Sequence, residues 1–164
     1  MTADVGVKLP PMDDVALFFH ILGALAFVSG IVVAGVAFEA ARRRDRPDEI
    51  ALLLGLTRVG VLLVAGGGVV LLGFGLRLVD AGHFGWGTGW IDGALALFVL
   101  AIALGAIGGQ RPKQARLLAA RLAAEGQPGS EQLRRLLDDP LSRVINYLAA
   151  VVVVAILVLM VFKP

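Results

Sequence analysis

Four long stretches of the chain are apolar on every side, and the polar residues gather between them. Residues 15–38, 59–76, 93–110 and 144–162 comprise 24, 18, 18 and 19 residues, none of them Asp, Glu, Lys or Arg. A helix needs about 20 mainly apolar residues to cross the hydrocarbon core of a bilayer. A helix buried in a soluble protein normally keeps a polar face, which these stretches lack. The pattern predicts an all-α polytopic membrane protein, an antiparallel bundle of four transmembrane helices.

The hydrophobic pattern predicts a single membrane domain over residues 1–164, with helices at about 15–40, 51–78, 90–109 and 141–162. The connection at 110–140 is amphipathic, with leucines at helical spacing among basic residues. Within it, Ser130 is placed to cap a short helix, and Asp139-Pro140 to begin the fourth membrane helix. We expect this connection to lie on anionic lipid headgroups, with docking of a cytoplasmic partner as the alternative.

The basic residues are distributed unevenly between the two sides of such a bundle. The first connection carries four arginines between residues 42 and 46, and the third connection carries seven further cations. The opposite side holds three, which are Lys8, Arg77 and Lys163. Because loops rich in Lys and Arg stay in the cytoplasm, eleven against three predicts a multi-pass protein of the plasma membrane with both termini outside.

Composition narrows the classes of function. Hydrophobic residues make up 58% of the chain and charged residues 17%, which excludes a water-soluble monomer. The cations are too few and too scattered for a nucleic-acid-binding module, so we expect no nucleic acid partner. There is no cysteine, which excludes disulfides and thiolate metal sites. The expected partner is the lipid bilayer, and a homo-oligomer or a membrane partner protein stays open.

Small residues recur where the predicted helices would touch. Gly23 and Gly30 lie on one face of the first helix, and Gly66-Gly67-Gly68 occupies the middle of the second. In the third helix Gly105 is followed four residues later by Gly109. Close approach of helix backbones favours such residues in membranes. The glycine triplet could instead mark an unwound point, as in transporter helices, which keeps a small transporter among the alternatives.

His20 is the candidate for chemistry in the first helix. It shares a helix face with Gly23, Phe27 and Gly30, so its imidazole points into the bundle. A neutral imidazole in a dry site can bind a metal ion or haem iron. The structural alternative is a neutral histidine that is hydrogen-bonded to a neighbouring helix.

His83 lies in the glycine-rich turn between the second and third helices, on the same side of the membrane as His20. Met12 and several aspartates are on that side too. His20 and His83 together are therefore a candidate metal site, for copper, or a pair of axial haem ligands. The turn contains four glycines, which argues against preorganised ligands.

Arg58 stands some seven residues into the second predicted helix, directly before its fully apolar stretch. A structural ion pair with Glu39 at the inner end of the first helix is the favoured interpretation. The alternative is a cofactor-binding role, in which the guanidinium receives a carboxylate or propionate of a bound ligand. The chain contains no nucleotide-binding loop and no zinc-protease motif, so whether it is an enzyme stays uncertain.

A family resemblance rests on short motifs spread over nearly the whole chain. The run Phe19-His20-Ile21-Leu22-Gly23-Ala24, followed by Gly30 and a basic loop, resembles the first helix of the bacterial domain-of-unknown-function 2269 integral membrane proteins. The same pattern continues in Arg58, Trp90-Ile91 and Arg111-Pro112. The layout is similar to copper-resistance D-type proteins and to the haem-dependent protoporphyrinogen oxidase. This likeness implies that His20 is the first candidate ligand for haem b or copper.

The resulting function hypotheses belong to three classes. The first is a small accessory or ligand-binding four-helix membrane protein without a catalytic cycle. The second is a redox membrane protein that binds haem b or copper at His20. The third is the small transporter. The oxidase-type relatives carry a functional Lys inside a helix, and no Lys occurs within the four apolar stretches here.

Overall fold

The computed structural model describes residues 11–81 and 88–162, with side chains from Asp14 onwards. These residues form six helices and no strand: α1 (Pro11–Arg42), α2 (Pro47–Ala81), α3 (Gly89–Gly108), α4 (Gln110–Ala124), α5 (Glu131–Leu137) and α6 (Pro140–Phe162). Four helical segments are long and apolar enough to cross a membrane. The prediction of an all-α protein with four membrane-spanning helices is confirmed.

The first two helices pack tightly against each other along glycines, in antiparallel directions. Gly23 lies against Gly67 and Leu71, and Gly30 lies against Gly60. A Cβ atom added at Gly30 would come within 2.5 Å of the Gly60 carbonyl oxygen, closer than real Cβ contacts allow. The two backbones therefore touch, as the small-residue face of the first helix predicts.

The glycine triplet belongs to this packing. α2 is a continuous helix from Pro47 to Ala81, so the unwound alternative for this segment is wrong. A Cβ atom at Gly67 would lie 2.6 Å from the Phe27 backbone nitrogen, whereas Gly66 faces open space. Of the three glycines, the middle one is the backbone contact with α1.

α3 and α6 form a second pair. Their close approach uses Gly108, where an added Cβ atom would lie 2.5 Å from Oδ1 of Asn146. Gly105 faces open space, so its spacing to Gly109 does not mark the contact between these helices. In the sequence, a glycine that faces lipid looks the same as a glycine at a helix contact. Only the orientation of the helix in the structure distinguishes the two.

α4 and α5 pack against the ends of α1 and α2, together with the connection at 43–46; we call this side of the molecule the charged end. The opposite side, where α1 begins and α6 ends, is the terminal end. α2 has 35 residues. At 1.5 Å per residue it is about 52 Å long, against about 30 Å of hydrocarbon core. The surplus lies at the charged end, where Ile50 and Leu54 are buried beneath α4 and α5.

The leucines of the 110–140 connection are largely covered by protein. Leu122, Leu133, Leu136 and Leu137 form one core with Phe38, Ala41, Ile50 and Leu54 of the first two helices. Leu117, by contrast, is 54% exposed. Most leucines of these short helices therefore pack against protein, and contact of the connection with anionic headgroups stays a prediction. Burial against α1 and α2 removes the same apolar area from water without a bilayer.

Capping and ion pairs hold the charged end together. The Ser130 hydroxyl accepts a hydrogen bond from the Leu133 amide (3.2 Å), and the Asp139 carboxylate accepts one from the Ser142 amide (3.0 Å). Both caps agree with the sequence prediction. In addition, Arg134 donates to the carbonyl oxygens of Arg42 (3.0 Å) and Arg44 (2.8 Å), and pairs with Asp45. These carbonyls belong to the last residue of α1 and to the connection after it, where no later helical amide is available to bond to them.

The two helix pairs meet over a limited area. At mid-depth, Phe27 of α1 and Phe98 of α3 lie with ring centroids 5.5 Å apart, and Ala101, Val152 and Val153 complete a small core. Contacts between the pairs are few compared with the contacts inside each pair. On the side of this core towards the terminal end, a cavity lies between the two pairs.

Candidate functional site

The cavity between the two helix pairs has a volume of about 600 Å³ and is not sealed. Ligand-binding sites commonly enclose about 300–1,000 Å³. All four membrane helices contribute to its walls, from Leu17 and Ala24 of α1 to Met160 of α6. His20 and Trp90 are the two described lining residues that carry a side-chain nitrogen or oxygen. The site is therefore an apolar chamber with sparse polar groups.

His20 is fixed by a hydrogen bond across the α1–α2 pair. Its Nδ1 atom lies 2.9 Å from the carbonyl oxygen of Leu71. Because a carbonyl oxygen only accepts hydrogen bonds, Nδ1 must carry the proton and donate. The structural role that the sequence left open, a bond to a neighbouring helix backbone, is thus present. It occupies one of the two ring nitrogens.

Gly75 makes room for the imidazole. A Cβ atom added at Gly75 would lie 3.0 Å from both Cε1 and Nδ1 of His20. A methyl group there would require the ring to shift by a few tenths of an ångström against its bond to Leu71, one helical turn earlier. The absence of a side chain at Gly75 therefore lets the ring lie where it bonds to Leu71 without strain.

The second ring nitrogen of His20, Nε2, is not used by the described residues. It has no hydrogen-bond partner in 11–81 or 88–162. Those ranges also contain no sealed side-chain nitrogen or oxygen that lacks a partner, so Nε2 is accessible. Since His20 lines the cavity, this atom offers a lone pair to an occupant.

The other half of the predicted metal site cannot be placed beside His20. His83 lies outside the described residues, and so does the side chain of Met12. Within the described part of the chain, no group of three His, Cys, Asp or Glu residues is arranged to hold a metal ion. A shared His20–His83 site stays a prediction.

Arg58 lies away from the cavity and from its predicted partner. It is exposed on α2, and Leu71, where His20 bonds, is 13 residues further along the helix. That separation is about 20 Å at 1.5 Å per residue. Glu39 pairs instead with Arg42 (3.0 Å) and Arg43 (3.5 Å). The favoured Arg58–Glu39 pair is therefore wrong, because basic residues three and four positions further along the chain bind Glu39 instead. One small ligand cannot contact both His20 and Arg58.

The arrangement around His20 fits haem better than copper. A metal-binding histidine usually donates its other ring N–H to a carboxylate or backbone carbonyl, as Nδ1 does here to Leu71. A single accessible Nε2 suits an axial position on haem iron, whereas copper sites draw on several protein ligands. The walls are apolar, as a porphyrin ring requires, but the described lining contains no cation for its propionates. Haem or copper binding at His20 stays a prediction.

Sequence reasoning missed Leu71, Gly75 and Phe98 as parts of the site. A usable signal does exist in the glycines of the first two helices. Aligning Gly23 and Gly30 with Gly67 and Gly60 in antiparallel register puts His20 opposite residues 70–71. The contact across to Phe98 leaves no comparable pattern, because it depends on how the second pair docks.

A smaller cleft of about 230 Å³ lies at the charged end, lined by Asp45, Ser130 and Arg134 among others. Its polar groups already bond to one another or to the backbone: Arg134 pairs with Asp45, and the Ser130 hydroxyl caps α5. It is part of the structural link between α5 and α1, and no ligand role follows from it.

Four apolar helices, tight glycine contacts within pairs and a cavity between the pairs define a multi-span integral membrane protein. Residues 14–164 match the family model described as "Predicted integral membrane protein (DUF2269)". The chain belongs to this family, as its helix motifs indicate. No curated protein and no solved structure matches the chain in the corresponding comparisons. The similarity of layout to copper-resistance D-type proteins and to the protoporphyrinogen oxidase stays a prediction.

Proposed function

We propose that this protein is a ligand-binding membrane protein that holds an apolar molecule in the cavity between its two helix pairs. The cavity itself carries the proposal, since it combines about 600 Å³, mostly hydrocarbon walls and one accessible imidazole nitrogen. Such a combination of apolar lining and a few placed polar groups is typical of small-molecule sites.

The way the helices pair supports a binding cavity over an accidental gap. Each pair is tight, yet the pairs touch each other mainly around Phe27, Phe98 and Ala101. Protein interiors otherwise pack as densely as organic crystals, with few voids larger than a water molecule. A chamber of this size in a bilayer loses dispersion contacts on every wall unless an apolar molecule fills it.

A bulky side chain that enters the cavity from one wall is expected to weaken binding. Ala24 lines the chamber, and Ala103 on α3 is exposed and lies outside it. In a Trp86→Phe background, 1-bromo-4-decylbenzene should quench Trp90 fluorescence saturably in detergent-solubilised protein. Ala24→Phe should weaken this binding about tenfold or more, because its ring occupies the space of the ligand. Ala103→Phe adds the same ring outside the cavity and should leave the titration unchanged.

Equal quenching curves for the two phenylalanine variants would remove the proposal. Purified protein that shows a Soret band, lost in His20→Leu, would replace it with haem ligation by Nε2 of His20. That second outcome keeps the same cavity and the same imidazole but assigns them to a redox protein.

The proposal places the protein in the bacterial plasma membrane, with the charged end in the cytoplasm and both termini outside. Exposed cations at that end support it, among them Arg43, Arg46, Lys113 and Arg143. They suit the anionic headgroups of the inner leaflet. Arg43, Arg46, Arg121 and Arg135 contribute less than the others, because each pairs with a carboxylate within four residues along the chain. A homo-oligomer or a membrane partner protein stays a prediction.

Orientation can be measured directly because the chain contains no cysteine. Asp14→Cys places one thiol at the terminal end, and Gln127→Cys places one in the exposed turn between α4 and α5. A membrane-impermeant maleimide should label Asp14→Cys in intact cells and Gln127→Cys only after lysis. The opposite labelling pattern would reverse the orientation without affecting the cavity.

A further inference from the structure

We infer that the occupant of the cavity is a phenol or quinol, a lipid-soluble aromatic molecule whose hydroxyl group donates a hydrogen bond to Nε2 of His20. This inference rests on the proposed function, because it names the chemical class of ligand for the same cavity. It follows from the proton position on His20 and from the aromatic residues around the chamber.

The Leu71 carbonyl decides which ring nitrogen is an acceptor. At 2.9 Å from that oxygen, Nδ1 is the donor, and in the neutral ring Nε2 carries the lone pair. Moving the proton to Nε2 would set two lone pairs against each other at Nδ1 and the carbonyl oxygen. His20 is therefore held as an acceptor towards the cavity, and it selects ligands that donate.

The low polarity of the chamber strengthens this selection. Almost every other described lining side chain is a hydrocarbon, so water is poorly retained beside the imidazole. An accessible Nε2 without a donor in such surroundings forfeits a hydrogen bond that an O–H group restores. A carbonyl or ether oxygen of the same shape places acceptor against acceptor. Hydroxyl-bearing molecules are thus distinguished from their ketone, quinone or ether counterparts.

The aromatic residues in the cavity wall indicate that the hydroxyl group of the ligand is attached to an aromatic ring. Phe27 and Phe98 are in contact at a tilt of 37° on the inner side of the chamber, and Trp90 lines it near the terminal end. Aromatic rings gain from offset or edge-to-face contacts with other rings beyond the area they bury. His20 is on the same helix as Phe27, seven residues earlier, so ring and acceptor lie along one face of α1.

The experiment compares 4-decylphenol with 4-decylanisole, which differ by one methyl group on the oxygen. Both compete with 1-bromo-4-decylbenzene for quenching of Trp90 in the Trp86→Phe protein. The phenol should bind about tenfold more tightly than the anisole, the effect of one hydrogen bond in an apolar site. His20→Leu should bring the ratio close to one by weakening the phenol and leaving the anisole.

Gly75→Ala supplies a second variant that keeps His20. Its added Cβ atom would lie 3.0 Å from Cε1 and Nδ1 of His20, so the imidazole must shift by a few tenths of an ångström and its bond to Leu71 is strained. Because the Nδ1 proton is then held less firmly, the preference for the phenol should fall although the imidazole is present. Gly73→Ala, which faces open space on the same helix, should keep the wild-type ratio.

The outcomes separate the ligand class from the cavity itself. If the phenol and the anisole bind wild-type protein equally, or if the anisole binds better, the hydroxyl inference is overturned while apolar binding stands. If neither compound competes, and Ala24→Phe also leaves quenching by the brominated compound unchanged, both the inference and the proposed function fail. A phenol preference that survives in His20→Leu would move the acceptor away from His20 and overturn the inference.

Discussion

Gly67→Leu is expected to break the pairing of α1 with α2, whereas Gly66→Leu, one residue earlier, leaves the protein folded. A Cβ atom at Gly67 meets the Phe27 backbone nitrogen at 2.6 Å and the Gly23 carbonyl oxygen at 2.8 Å. Backbone atoms cannot rotate out of the way, so the helices must separate along their whole contact. Overpacking of a well-packed core costs about 1–3 kcal/mol. A backbone clash within a helix pair should reach the upper part of that range or exceed it.

The measurement is the fraction of sodium dodecyl sulfate in mixed micelles at which half of the protein has unfolded. Gly67→Leu should lower this midpoint strongly or prevent folding altogether. Gly66 has no atom within 4 Å of an added Cβ, and leucine favours the helix over glycine by about 1 kcal/mol. Gly66→Leu should therefore leave the midpoint unchanged or raise it. Equal midpoints for the two variants would contradict the register of the first helix pair.

Leu137→Ala is expected to destabilise the charged end by about 2–5 kcal/mol, the usual cost of truncating a buried leucine. Leu137 is 1% exposed, in the core that joins α4 and α5 to the ends of α1 and α2. Its removal leaves a void beneath α5, which has only seven residues and depends on packing for its stability. The structure predicts that α5 and the turn before it then open, while the membrane helices stay paired.

Limited proteolysis with trypsin reports this opening, because Arg121, Arg134 and Arg135 are all in the region. Leu137→Ala should be cleaved there much faster than the wild type. Leu117→Ala removes the same atoms from a side chain that is 54% exposed, and such changes usually stay within about 0.5 kcal/mol. If both variants are cleaved at the wild-type rate, then α5 does not depend on Leu137 for its place in the fold.

Loose packing between the two helix pairs leaves space for a ligand inside the membrane. Helices in lipid do not gain from burying leucine, since lipid solvates leucine equally well, so contacts form where backbones approach. Glycines concentrate these contacts within each pair, at Gly30 and Gly67 for example. The space between the pairs is left with larger side chains, which meet mainly in the small core around Phe27 and Phe98. A lipid-soluble molecule can fill such a space and bridge the two pairs.

Much of the fold could be predicted from the amino-acid sequence before any contact between helices was known. Hydrophobic stretches long enough to span a bilayer predict four membrane helices, because backbone groups in lipid must bond within their own helix. Ser130 and Asp139 mark helix starts by their position before helical segments, and both are confirmed as caps. These are local signals, in which the residue and its bonding partner are three positions apart along the chain.

The contacts that were predicted wrongly or not at all concern partners that are distant in the sequence. Glu39 was expected to reach Arg58, and instead meets Arg42 and Arg43. The 110–140 connection was expected to lie on lipid headgroups, which does not indicate that most leucines of α4 and α5 pack against the ends of α1 and α2. In both cases the sequence shows a side chain that needs a partner but contains nothing that identifies the partner. Charge and hydrophobicity are satisfied equally by several candidates.

The amino-acid sequence by itself determined that this protein lies in a lipid membrane, how many membrane helices it has and which face of α1 carries His20. Those properties depend on composition and helical period, which are fixed once the order of residues is known. Only the tertiary structure decided that Nδ1 of His20 is bonded to Leu71, that Gly75 makes space for the ring, and that a cavity lies between the pairs. Each of these depends on the register and separation of helices in three dimensions, to which many residues contribute weakly and none decisively.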